Sequence, residues 1–272
     1  MADHLTKTVT LDALARVGYG ARGLLYLLIA GFSLAAVFGF AGRPHGVVDG
    51  LATIESTPVR ASIATAIAVG LACFAGNLTV RGFLDWTQGG GIKHWAAGAG
   101  MLGDAAIYVA VLVAVLRGAT GADPSGDHLS QAWVAWAMAQ PFGRVLVGLG
   151  GVLVSGGGIA FALWAWFAPI DREVALPFHE KRLVTPIGRY GETGRGVAIA
   201  LVGAFWTMAG VNADPSKAHE LGGALHEVWQ SPFGEILLVL LGLAFVASGV
   251  FDIVEALFHA PQAAAAGSTT NR

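Results

Sequence analysis

Ionisable side chains inside long apolar runs are the residues of this chain best placed to do chemistry. A charge held away from water is costly, so it is paired, protonated or put to use. Asp252 and Glu255 stand near the end of the last apolar run, beside Phe251, Val254 and Phe258. They fit an intramembrane site, or a position close enough to the membrane surface for a carboxylate to be cheap. Asn77, inside an earlier run, suits a hydrogen bond between helices. His219-Glu220, His226-Glu227 and His128 raise the question of a metal. Histidines seven apart on a helix are two turns, about 10 Å, from each other, and neither HExxH nor CxxC occurs. A solvated amphipathic face accounts for them, and no metal or other cofactor is expected. No nucleophile stands at a readable spacing from a base. The glycines follow helix-packing spacing rather than a phosphate loop, so the chain does not read as an enzyme.

The elements that carry these residues are helices built for lipid. Of 272 residues 55% are hydrophobic and 12% charged, about half the charge of an ordinary soluble domain. The net charge of −2 offers no basic face for nucleic acid. The lone Cys73 excludes an intrachain disulfide. Residues 23–41 form an uncharged run about long enough for a bilayer core of ~30 Å. Its polar lead of twenty-two residues is wrong for a secretory signal, so it reads as a retained helix. Further spans are expected at 59–80, across 105–116 with an extension at either end, and at 141–168, 194–211 and 232–260. Residues 169–192 read as a charged loop and 261–272 as a disordered tail. Short amphipathic segments sit between paired spans, at Val47, Val48, Leu51 and Ile54, and at Leu129, Trp133 and Trp136. They suit the membrane surface.

A repeat organises the whole. Ala122-Asp123-Pro124-Ser125 with Pro141-Phe142-Gly143 recurs ninety-one positions later as Ala213-Asp214-Pro215-Ser216 with Pro232-Phe233-Gly234. A shift of 173 places Arg16, Gly18, Arg22 and Phe32 on Arg189, Gly191, Arg195 and Phe205, with Pro58 one residue out of register with Pro232. The expected units are a cytoplasmic segment (1–14), three two-helix repeats (15–91, 92–176 and 177–260) and the tail. Two helices per unit make the repeats parallel. The predicted fold is therefore all-α, with six transmembrane helices as three parallel hairpins and interfacial helices on the outer side. Of the 16 Lys and Arg, five lie on or beside the hairpins, and basic excess marks the cytoplasm. Both termini are then inside. The eight tryptophans fall in loops or near helix ends, as an aromatic belt requires.

Equivalent repeat positions carry two charged sets. Arg22, Asp104 and Arg195 share one, near the inner start of the odd helices. Arg60 (shifted by one), Arg144 and Glu235 share the other, near the outer start of the even helices. Arginine at a helix N-terminus opposes the macrodipole and calls for an offsetting partner. Asp104 is expected to pair with Arg22 or Arg195, and Glu235 with Arg60 or Arg144, unless all six reach the headgroups. The even helices also align Gly76, Gly158 and Gly249, and Gly148, Gly151, Ser155 and Gly158 form a face on which a backbone can approach closely.

Ala15-Arg16-Val17-Gly18-Tyr19-Gly20-Ala21-Arg22-Gly23 with Tyr26, and Gly188-Arg189-Tyr190-Gly191-Glu192-Thr193-Gly194-Arg195-Gly196, resemble a bacterial membrane family known as domain of unknown function 1206. Pro141-Phe142-Gly143-Arg144 and Pro232-Phe233-Gly234 open the even helices in that family's manner. The second copy departs by placing Asp104 at the arginine position. The resemblance implies tandem two-helix units and a bacterial cytoplasmic membrane, and supplies no reaction. The residues favour a non-catalytic protein that acts through helix packing, its partners being the lipid bilayer and other membrane proteins or a second copy. The alternative is a small-solute or ion pathway along the repeat axis.

Overall fold

The computed structural model describes residues 2–40, 44, 46–52, 54–87, 91–120, 126–167 and 178–258. Among them every regular element is helical: α1 (Ala2–Val37), α2 (Val47–Ala52), α3 (Thr57–Thr87), α4 (Ile92–Thr120), α5 (Gly126–Met138), α6 (Gly143–Phe167), α7 (Phe178–Asn212), α8 (Leu221–Trp229) and α9 (Gly234–Phe258), with a 3-10 turn at Pro215–Lys217. Six of these helices, α1, α3, α4, α6, α7 and α9, are long and apolar enough to cross a membrane. Large apolar side chains point outward along them, Leu153 and Phe167 among the most exposed. In water such a surface would be a liability; against acyl chains it is ordinary. The short helices α2, α5 and α8 fall between the paired spans, where the amphipathic segments were read.

Two odd helices are longer than hydropathy indicates. α1 has 36 residues and α7 has 35, each over 50 Å at about 1.5 Å per residue. Residues 178–192, read as loop, are the first turns of α7, and Pro186 is inside it. Hydropathy registers the stretch that faces lipid, while charged turns beyond the bilayer remain good helix formers. α4 resolves the ambiguous third span by extending both ways, taking in Asp104 and Arg117. The 122–125 motif, loop residues 169–177 and the tail 261–272 lie outside the described residues.

Helix pairing is set by small residues. α1 packs on α9 and α3, α3 on α4, α6 on α7, and α7 on α9. A Cβ added to Gly23 would lie 2.8 Å from the Gly249 carbonyl oxygen, and one on Gly196 would lie 2.7 Å from that of Gly158. Gly148, Gly151, Ser155 and Gly158 form the α6 face against α7. There Gly151 meets Thr207 and Gly203, and Ser155 Oγ donates to the Ala200 carbonyl at 2.6 Å. Gly76 does not share this role: space around it is open. α3 and α4 instead approach at Gly82 and Gly98, where a Cβ on Gly98 would sit 2.8 Å from the Gly82 oxygen. On α3 it is Gly82, at the crossing with α4, and not Gly76 that allows this approach.

Candidate functional site

Where α1, α4, α7 and α9 converge, long apolar helices deliver charges to one buried layer. Arg22 comes from α1, Asp104 from α4, Glu192 and Arg195 from α7, and Asp252 from α9. Arg22 grips Asp252 with two donors: Nε donates to Oδ2 at 2.8 Å, and its second terminal nitrogen bonds Oδ1. Asp252 is completely buried. Arg22 also lies 3.9 Å from Glu192. Glu192 bridges to Arg195 at 3.3 Å, and Arg195 reaches Asp104 at 3.1 Å. The chain of contacts thus runs Asp252, Arg22, Glu192, Arg195, Asp104. The fork of a guanidinium suits such bidentate and bridging contacts.

Aromatic rings complete the shell. Arg22 lies over the Tyr19 and Phe74 rings, 5.1 and 4.8 Å from their centroids. Arg195 lies over Phe161 at 5.1 Å and Tyr108 at 5.9 Å. One turn further along, the hydroxyls of Tyr26 and Tyr108 stand 3.1 Å apart. Cations on ring faces and carboxylates at their edges offset much of the cost of taking guanidinium groups out of water.

Asp104 takes Arg195, one of its two expected partners. Arg22 takes Asp252 instead, a carboxylate that by sequence fitted either an intramembrane site or the membrane surface. The expected reason for pairing also changes. Arg22, Asp104 and Arg195 sit far inside α1, α4 and α7, where the macrodipole has faded, so burial creates the demand for partners. Glu255, one turn beyond Asp252, is buried as well, as is Asn77 on α3. The second set does not assemble. Glu235 is exposed, and among the described residues it pairs with neither Arg60 nor Arg144. Arg144 caps the end of α7, donating to the Gly210 and Val211 carbonyls at 2.9 and 2.5 Å. Those last carbonyls have no partner within the helix, so they compete successfully for the guanidinium.

Sequence reading missed Glu192, Tyr26 and Tyr108 as members of the layer. Their signal was present: Glu192 precedes Arg195 by one turn, and the repeat shifts place Tyr26 and Tyr108 at one equivalent position.

The opposite end carries a polar cap. His219 and Glu220 precede α8 rather than lying on its solvated face. His219 Nδ1 lies 3.0 Å from Asp127 Oδ2, and the Glu220 amide donates to Asp127 Oδ1 at 2.8 Å. Trp206 Nε1 donates to the His219 carbonyl at 3.2 Å, and Ser130 Oγ to that of Ala218 at 3.0 Å. Among the described residues no group of three His, Cys, Asp or Glu side chains is placed to hold a metal. Burial, then the neighbouring Asp49 and Asp127 carboxylates, push Glu220 up to about 8, against a Gly222 backbone hydrogen bond that lowers it. The folded cap therefore keeps a proton that the unfolded chain releases above its ordinary value of 4.5. Stability is full below that value, falls as pH rises through the interval, and levels off above about 8. Hydrogen exchange of α8 amides, corrected for intrinsic rate, should show faster opening across this window. Glu220→Gln should remove most of the pH dependence; an unchanged slope would mean that Glu220 does not set it.

A family model described as "Domain of Unknown Function (DUF1206)" matches residues 89–168 and 190–259, more than half of the chain. The chain belongs to this family. The first matched segment runs from the start of α4 to the end of α6, and the second covers most of α7 with α8 and α9. Each matched segment thus holds two long helices with a short one between. The chain is also similar to "Uncharacterized protein YxxB" of Bacillus subtilis (strain 168), 26% identical over 253 residues, 90% of each chain. No solved structure matches.

Proposed function

We propose that this DUF1206 protein is a non-catalytic, multi-pass protein of the bacterial cytoplasmic membrane, with both termini inside, that acts through helix packing on membrane partners or a second copy. Its three two-helix repeats run parallel and close in a cycle. In support, each odd helix packs on the even helix of another repeat: α1 on α9, α4 on α3, and α7 on α6. Gly23 with Gly249 and Gly196 with Gly158 are the same contact at equivalent repeat positions. The observation that carries the reading is the ionic layer itself. Its guanidinium groups and carboxylates are engaged with one another in a chain that ties first helix to last.

One observation favours an ion pathway as a second reading. The Asp104 side chain is 35% exposed, whereas its partner Arg195 is buried, and the layer has one more carboxylate than arginines. Purified protein in liposomes holding a pH-sensitive dye separates the two. Under a potassium-diffusion potential, proton entry at the rate of protein-free liposomes is expected. Entry that rises with protein density and is lost in Asp104→Asn would replace the packing reading with a cation pathway.

A further inference from the structure

The three hairpins are not equally closed, and the difference falls beside Asp104. In the third, α7 meets α9 almost backbone to backbone. A Cβ on Gly191 would lie 2.4 Å from Ser248 N, and one on Gly194 would lie 2.2 Å from Ala244 Cβ. The first is built alike: a Cβ on Gly18 would lie 2.8 Å from Phe74 Cα, and one on Gly70 would lie 2.0 Å from Ala21 Cβ. The repeat shifts put Gly100 and Gly103 of α4, and Leu153 and Gly157 of α6, at these positions in the middle hairpin. There Gly100, Gly103 and Gly157 have nothing within 4 Å, and Leu153 is 75% exposed. α4 and α6 are each 17% buried over their membrane-length window, against 39–50% for the other four. Arg195 of α7 reaches both walls, pairing with Asp104 on α4 and lying over Phe161 on α6.

Glycines standing in open space have no packing reason where they are. The repeat register sets Leu153, a large residue, opposite Gly103, beside which an added Cβ would meet nothing within 4 Å. The walls of this seam therefore complement each other, as the equivalent walls do where they touch. We infer that the α4–α6 seam is a lateral gate onto the arginine–carboxylate layer. It closes by bringing Leu153 and Gly157 onto Gly103 and Gly100, and it opens to expose Asp104 to the bilayer. Closing moves the α6–α7 pair, which is locked together by its own glycine face, against the α3–α4 pair. The inference rests on the repeat register proposed above and holds for either functional reading.

Distances between spin labels in lipid nanodiscs test it, in a Cys73→Ser background that removes the lone native thiol. Ala106→Cys with Leu149→Cys reports the middle seam. Val197→Cys with Leu240→Cys, at the repeat-equivalent positions, reports the closed third hairpin. All four positions are exposed. The control pair should give one short distance. The test pair should give two, one matching the control and one longer, and Gly157→Leu should abolish the shorter while leaving the control unmoved. A single long distance for the test pair, unaffected by Gly157→Leu, would overturn the gate and leave the repeats standing. A long control distance would remove the repeat register, and the gate with it.

Discussion

Asp252→Asn is expected to lower stability by about 3–5 kcal/mol, the range for breaking a buried ion pair by removing one partner. The carboxylate is fully buried and holds two donors of Arg22, a side chain itself only 8% exposed. Asparagine keeps the shape and removes the charge, leaving a guanidinium with Glu192 3.9 Å away as its remaining acid among the layer's contacts. Thermal unfolding in detergent should show a midpoint lower by on the order of 10 °C. Asp104→Asn should cost distinctly less, because that carboxylate is 35% exposed. The instructive comparison is Arg22→Met with Asp252→Leu. Replacing both members of a buried pair by apolar residues is often neutral or stabilising. If the layer serves packing, the double variant folds with a midpoint near that of the wild type. If Asp252→Asn leaves the midpoint unchanged, the Arg22–Asp252 pair is not formed in the folded protein.

What the sequence made legible divides along physical lines. Lipid-facing length and the amphipathic segments are local properties, so six spans and the sites of α2 and α5 could be read directly. The glycine face of α6 was legible because close backbone approach leaves small residues at helical spacing. Partner choice was less so. Arg22 and Asp252 are 230 positions apart, and no local signal says that the first helix packs on the last. Glu235 failed to meet Arg144 because helix-end carbonyls, which are present on every helix and leave no mark on composition, took the arginine. For Arg22 and Arg195 the expected reason for pairing did not hold. They were placed at helix starts because the charged turns before them looked like loop. Those turns are helix, which puts both arginines in the interior.

Adjacent glycines on α6 should give opposite results when enlarged. A Cβ on Gly158 would meet Ala200 N at 2.5 Å and the Gly196 oxygen at 2.7 Å, and both are backbone atoms that no rotamer change can move. Gly158→Leu must therefore part α6 from α7, and overpacking of this kind costs about 1–3 kcal/mol or more. The damage should spread, because the same face joins Ser155 to Ala200 and Gly151 to Thr207. Gly157→Leu points where nothing lies within 4 Å, so its midpoint should not fall below that of the wild type. Both changes add the same side chain to the same helix, so intrinsic propensity cancels in the comparison. Equal midpoints for the two variants would mean that α6 and α7 do not cross at Gly158 and Gly196. A low midpoint for Gly157→Leu alone would mean that the middle seam, rather than the α6–α7 face, is the packed one.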